Sequence, residues 1–378
     1  MTTKIIFDHG LDYLDQIDIA LLAPSRTGKS TLIAAMLAEF NKRLSQKRMG
    51  AVLSPLGGND NIYEFASEVL GRAVHAPVST QAHIAQLKRD YGNALKRPGR
   101  KFEAAFKGNR ESLLLSFNLA NEATAMPFRI LDYPGGAVSS PPVVVHGTDT
   151  PGPDDHANSR LEDHAKVLRA YTDDCFAVVV PVFAMALVEK SELDAKFQNK
   201  EIGQDEFDAK SDRLNAVLNI SDIRDRVSEW VLGRVNSRKH GLLVLAPVKC
   251  ETFINAPGNP RTRFEHQGVL ENVTHEYVFD PICRDIVSSV EEEDKLSEIA
   301  KLVSVEYLPV QTFGNVFERA VIEWPPDLME HADDYETTFK ELYYKKVGAV
   351  PCPVGASRVI GTVLAHRNDL LVDAVKNL

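Results

Sequence analysis

Few covalent or metal staples are available to this chain. Its 378 residues contain four cysteines, Cys175, Cys250, Cys283 and Cys352, far apart and with no C-x-x-C pair. That spacing argues against a zinc site and a disulfide framework, and it fits a reducing compartment. Long apolar runs are scarce as well. The longest, Cys175 to Val188, is 14 residues with Pro181 inside it. A bilayer span needs about 20 residues, so this run reads as a buried strand leading into a helix and no transmembrane segment is expected. Met1 to Leu14 carries aspartates and no apolar centre, so no signal peptide is evident. Positive charge is in deficit too, with 43 Lys and Arg against 53 Asp and Glu. The chain as a whole is therefore not a polyanion binder, which leaves room for a local basic stretch. Glycine and proline, 22 and 20, stand near average usage and exclude collagen-like and low-complexity readings. What is present, 44% hydrophobic and 25% charged residues, is an ordinary globular balance. A soluble, cytoplasmic α/β protein is the expectation.

Short runs rich in Val, Ile and Leu recur, each ending in a polar or Gly/Pro-containing loop: Ile17–Leu22, Leu113–Leu119, Phe128–Leu131, Phe176–Phe183, Leu242–Ala246 and Val303–Val310. Near-continuous apolar strands alternating with helices predict a mostly parallel sheet with helices on both faces. Only eight residues separate the second run from the third, too few for a crossover helix, so these two should pair antiparallel. Helical spacing appears at Ser30–Leu44, Arg160–Tyr171 and Ser357–Lys376. No convincing linker interrupts the chain. The prediction is one domain over 1–378, with a basic helical insertion at about 50–111, a charged helical one at 189–236 standing off the sheet, and a helical extension at 315–378.

The strongest motif is Ala23-Pro24-Ser25-Arg26-Thr27-Gly28-Lys29-Ser30-Thr31, which follows an apolar strand and opens a helix. Such a turn points several backbone N–H groups into one concavity at a helix N-terminus, where the macrodipole also favours an anion. Gly28 lets the backbone approach a phosphate, Lys29 reaches the β/γ oxygens, and the Ser30 hydroxyl suits Mg²⁺. The pattern is G-x-x-x-x-G-K-[ST] with Ala23 in the first glycine's place. Arg26 is compatible with a charge stabiliser over the phosphates and equally with a solvent-facing side chain.

A second motif, Asp132-Tyr133-Pro134-Gly135, closes the strand at Phe128–Leu131. Asp132 stands where a magnesium-water ligand is needed, and the Gly135 N–H is suited to sensing a γ-phosphate. A third, Val248-Lys249-Cys250-Glu251, ends the Leu242–Ala246 strand, and Gln311-Thr312 follows the last strand. In this order the elements resemble the G domain of translation-factor-like (TRAFAC) P-loop GTPases. The phosphate loop, the long insertions and the size are similar to YcjX-like and related divergent bacterial GTPase-like proteins, over roughly Ile17 to Gly314.

The resemblance implies a P-loop NTPase fold binding GTP or GDP, with ATP as the alternative, and Mg²⁺. It implies that Lys249 packs its stem on the base, that Glu251 accepts hydrogen bonds from the base edge, and that Thr312 lies in the turn facing the base. Val248 departs from the family's Asn or Thr, and Glu251 replaces an Asp. Gly136 stands where Ras-like enzymes place a water-orienting Gln, so hydrolysis is expected to be slow or partner-stimulated. A non-hydrolysing interaction module is the further alternative. A protein partner reading segments 59–110 and 133–155 is implied. Lys88–Arg110 holds eight Lys or Arg against Asp90 and Glu103, which suits nucleic acid, an anionic membrane or plain solvation. The stretch from His146 to His156 reads as a solvated segment rather than a metal site.

Overall fold

The computed structural model describes residues 17–23, 27–46, 52–55, 66–71, 80–93, 113–120, 125–133, 137–138, 153–251, 263–289, 293–314, 317–321, 341–345 and 352–376. Its main sheet has seven strands: β1 (Ile17–Leu21), β2 (Val52–Pro55), β3 (Leu113–Ala120), β4 (Ala125–Asp132), β5 (Ala177–Phe183), β6 (Gly241–Val248) and β7 (Val303–Tyr307). Their order is β2-β3-β4-β1-β5-β6-β7. From β4 to β7 every neighbouring pair is parallel. β3 runs antiparallel to both β4 and β2, as the short gap after Leu119 predicts.

β5 and β6 are apolar along nearly their whole length and buried on both faces, as strands covered by helices must be. The helices are α1 (Lys29–Gln46), α2 (Thr80–Asn93), α3 (Pro153–Asp174), α4 (Ala184–Gln198), α5 (Gln204–Leu218), α6 (Ile220–Asn236), α7 (Arg263–Thr274), α8 (Asp280–Ser289), α9 (Glu293–Leu302) and α10 (Ala356–Lys376). One core joins α1, α2 and α10 to one sheet face, around Leu32, Ile84, Leu87 and Ile360. The other joins α3 to α8 to the opposite face, around Leu168, Trp230, Val231 and Leu270.

Two expectations change. The 189–236 region does not stand wholly off the sheet: α6 buries Ile223, Val227, Trp230 and Val231 in the second core, and Trp230 Nε1 donates to Cys175 O at 3.2 Å. The charged positions counted as an insertion are the outward face of a covering helix. The stretch 315–378 is not helical throughout either. β8 (Phe317–Val321) and β9 (Glu341–Lys345) pair antiparallel before α10 begins, consistent with the aromatic and β-branched residues they carry.

The strand order reverses at β1, because the chain leaves β1 toward β4 on one side and returns to β5 on the other. In open α/β sheets the crevice beyond the strand C-termini at such a reversal is where ligands bind. Leu22 N donates to Val179 O at 2.8 Å, holding the end of β1 against β5 just before the turn. On the far side of β6, Gln311 and Val354 form an antiparallel bridge.

The turn after that bridge requires glycine. Gly314 has φ +70°, and a Cβ there would lie 2.0 Å from Cys352 O. Gly314→Ala is expected to lower unfolding free energy by about 3 kcal/mol in urea titration. Gly71, at φ +63° with open space around it, serves as the control and should lose only about 1 kcal/mol on the same change.

Candidate functional site

β1 ends at Leu21, and the chain turns through Ala23 and Thr27 into α1 at Lys29. Pro24, Ser25 and Arg26 lie outside the described residues. Gly28 takes φ +101°, a conformation open to glycine and strained for other residues. Its carbonyl accepts the Leu32 N–H at 2.8 Å, so the helix starts immediately. No acidic residue occupies the first turn of α1, which leaves its N-terminus electropositive. The Thr27 hydroxyl is buried, with no hydrogen-bond partner among the described residues. An orphaned buried hydroxyl beside a glycine cradle at a helix N-terminus fits a phosphate.

Lys29 is buried under this turn. Its Nζ is 2.6 Å from Asp132 Oδ1, donates to Tyr133 O, and lies 3.8 Å from the Tyr133 ring centroid. Burial pulls the Lys29 pKa below its ordinary value, and the Asp132 carboxylate partly offsets this. Ser30 Oγ lies 3.5 Å from Asp132 Oδ2, at the edge of hydrogen-bond range. Asp132 is fully buried at the end of β4. The register between β1 and β4, with Ala20 opposite Leu131, is what brings this carboxylate beneath the turn. An ammonium, a hydroxyl and a carboxylate, each expected from the sequence, therefore meet. That donor set matches a phosphate with a hard divalent cation such as Mg²⁺, which prefers oxygen ligands.

Tyr133 was not singled out by the sequence. Its hydroxyl accepts from Ala23 N at 2.9 Å and donates to Leu21 O, joining the end of β4 to both sides of the turn. Burial drives its pKa far up, so it remains a neutral phenol. Only its place in D-x-x-G marks it in the sequence, and a buried tyrosine there has no distinctive spacing. Gly135, with Pro134 and Gly136, lies outside the described residues.

On the other side of the site, Lys249 adopts φ +56° and lays its stem against Gly28, so that a Cβ on Gly28 would meet Lys249 Cε at 3.2 Å. Its Nζ is 4.8 Å from the Phe183 ring centroid. The end of β6 is thereby joined to the glycine turn. Glu251 is buried, and its carboxylate accepts from Thr312 N at 3.0 Å, Thr312 Oγ1 at 2.9 Å and Phe313 N at 2.9 Å. Burial pushes its pKa up, and these hydrogen bonds pull in the opposite direction. Glu251 and Thr312 do come together, as their order along the chain predicts, but they are bonded to each other. Tyr91 of α2 donates to Thr312 O and stacks on Phe313 with ring centroids 5.1 Å apart. The expected basic insertion thus rests on this turn through α2. Lys88 and Arg89 are exposed on that helix, whereas 94–110 lies outside the described residues.

Among the described residues no cluster of His, Cys, Asp and Glu is arranged to hold a metal without a further ligand, and no helix is long and apolar enough to cross a membrane. His146 and Asp149 fall outside the described residues.

No protein-family model and no curated protein matches the sequence. Among solved structures the chain is similar to one titled a signal recognition particle receptor SRb-GTP/SRX complex from Chaetomium thermophilum. That match has 12% identity and TM-score 0.29, covering 86% of this chain and 98% of that one. It is also similar to a dimerization-deficient mutant of Toc33 from Arabidopsis thaliana, at 9% identity and TM-score 0.30, covering 90% and 92%. Superpositions this loose carry no weight for function, and the site stands on its own geometry.

Because Lys29 and Asp132 are both buried, removing one strands the other. Lys29→Met should lower stability by about 3–5 kcal/mol, and adding Asp132→Asn should restore most of the loss. Urea unfolding of the two single mutants and the double mutant measures this coupling. Additive losses would show that the two charges do not depend on each other.

Proposed function

We propose that this chain binds a guanine nucleotide, GTP or GDP, with Mg²⁺ and acts as a nucleotide-dependent switch. The observation that carries the reading is the convergence of Lys29, Ser30 and Asp132 beneath a glycine turn at the strand-order reversal. The N–H groups of Thr27 to Thr31, with Ala23 and the residues Pro24, Ser25 and Arg26, would wrap the phosphates, and Lys29 would neutralise their charge. Ser30 and Asp132 would hold Mg²⁺, which supplies charge neutralisation across the phosphate oxygens. Gly135 would sense the terminal phosphate.

The exchange at Lys29 gives the switch its physical basis. In this structure the ammonium is committed to Asp132 and Tyr133 O. A phosphate arriving in the loop competes for the same ammonium and releases the Asp132 carboxylate toward the cation. Asp132 and Tyr133 lead directly into the segment 134–155, so a change of partner at Lys29 is passed to that segment. Hydrolysis by water attack on the terminal phosphate is the expected reaction. With Gly136 at the position where related enzymes carry a glutamine, its rate is proposed to be low without a partner.

A second reading, a P-loop protein that takes ATP or does not select its base, is favoured by one observation. The Glu251 carboxylate already accepts three hydrogen bonds from Thr312 and Phe313, so reading a base edge would mean giving some of them up.

Equilibrium titration with fluorescent GTP and ATP, with and without Mg²⁺, tests both readings. Lys29→Ala should weaken triphosphate binding by at least about 100-fold, the loss of a charge-assisted contact worth roughly 2.7 kcal/mol. Asp132→Ala should abolish the dependence on Mg²⁺. If Glu251 reads the base, Glu251→Gln lowers GTP affinity while leaving ATP unchanged. If it only positions the Thr312–Phe313 turn, both affinities fall in step. Binding that survives Lys29→Ala at full strength would remove the proposal.

A further inference from the structure

At the opposite end of the strands from Gly28, the segment Asp174–Phe176 carries the chain from α3 into β5. Four contacts fix it. Phe176 N donates to Asp18 O at 3.0 Å, and Phe176 O accepts from Leu242 N at 3.0 Å. Cys175 O accepts from Trp230 Nε1 at 3.2 Å, and Asp174 O accepts from Arg234 Nη2 at 3.0 Å. Two guanidinium groups arrive on this segment from different helices. Arg234 of α6 lies over the Trp230 ring with its Cζ 5.7 Å from the centroid. Arg367 of α10 lies over the Phe176 ring at 5.1 Å.

Their charges are poorly matched. Arg234 is only 4% exposed, and its Nε is buried with no hydrogen-bond partner. Arg367 Nε is likewise buried with no partner, and among the described residues Arg367 has neither a hydrogen bond nor an ion pair. Burial lowers the pKa of both arginines; Cys175 and the Asp174 carboxylate partly offset this for Arg234, and for Arg367 the nearby Arg234 charge lowers it further. Asp18 and Glu306 at this end of the sheet are engaged elsewhere, and Asp174 acts on Arg234 only from solvent. Asp18 is held by both ends of the Arg129 fork, and Glu306 faces His366 Nε2 at 3.1 Å. The Asp174 carboxylate is 78% exposed and lies 3.6 Å from Lys239 Nζ. Arg238, Lys239 and His240 add exposed basic side chains at the turn into β6.

Burying like charges together is unfavourable unless an anion joins them. The faces of both guanidiniums are spent on aromatic rings and Arg234 Nη2 on Asp174 O, and the remaining edge N–H groups suit a tetrahedral oxyanion with two or more oxygens. A carboxylate would bring one negative charge to two arginines, whereas a phosphate monoester brings up to two. We propose that Arg234 and Arg367 form a second anion site, remote from the glycine turn, that binds a phosphate group carried by a soluble ligand or by a lipid headgroup. Arg367 is half-buried and Arg234 almost wholly buried.

Thermal unfolding in inorganic phosphate, against chloride at matched ionic strength, tests the site, with Lys29→Ala as the parent to weaken binding at the glycine turn. Phosphate should raise the melting temperature of the parent by several degrees. Arg367→Ala in that background should lose the phosphate-dependent shift, and Arg367→Lys should keep part of it. Arg367→Ala with Lys29 intact should keep nucleotide binding, which separates this site from the one proposed above. Co-sedimentation with phosphatidylcholine vesicles, with and without phosphatidylinositol 4-phosphate, identifies the carrier: Arg367-dependent pelleting indicates a lipid headgroup, and a phosphate shift without pelleting a soluble ligand. No phosphate shift in the parent, or an equal shift in Arg367→Ala, overturns the proposal.

Discussion

A lysine ammonium and an aspartate carboxylate, both out of solvent and 2.6 Å apart at the ends of neighbouring structural elements, set the terms for the rest of this molecule. Neither charge is tolerable alone at that depth. Lys29 must therefore always face an anion, and the choice lies between Asp132 and whatever enters the turn above it. The parallel pairing of β1 with β4 makes this choice available, because it ends both strands at the same level. Tyr133 then fastens the two ends, bridging Leu21 and Ala23 through one phenol. A change at the loop is thus felt at the end of β4, where the chain continues into the segment that a switch would use.

The Glu251 side of the site is organised differently. There a buried glutamate gathers the turn after β7 by accepting three hydrogen bonds, and Tyr91 covers that turn from α2. Lys249 spans the gap to Gly28 with its stem. The Lys29 side is held by an ion pair, and the Glu251 side by hydrogen bonds and ring stacking. The insertion helix α2 packs on α1 and reaches the Thr312–Phe313 turn through Tyr91, so a change at α2 has a physical route to that turn.

Much of this was legible in the sequence. The six apolar runs correspond to β1 and β3 to β7, because a strand buried on both faces has no polar alternation to confuse with a surface helix. β2 was not legible: four residues at a sheet edge, ending in Pro55, carry too little hydrophobic pattern. α6 was misread because its outward face is charged and its buried residues look scattered until placed at helical spacing around Trp230. In the site, Lys29, Ser30 and Asp132 were found by motif, since local spacing encodes their convergence once the strand pairing is right. That Glu251 bonds directly to Thr312 and Phe313 was not, because this depends on how the turns after β6 and β7 approach each other across 61 residues of chain. Arg234 and Arg367 escaped notice for the same reason, lying on helices that meet only in the folded protein.

The most direct test of the central claim is a crystal structure of the protein with Mg²⁺ and a non-hydrolysable GTP analogue. The account predicts the triphosphate on the amides of the turn before α1, with Lys29 Nζ moved from Asp132 to the phosphate oxygens and Asp132 facing the cation. A structure at saturating analogue in which Lys29 still holds Asp132 and the turn carries no phosphate would contradict it.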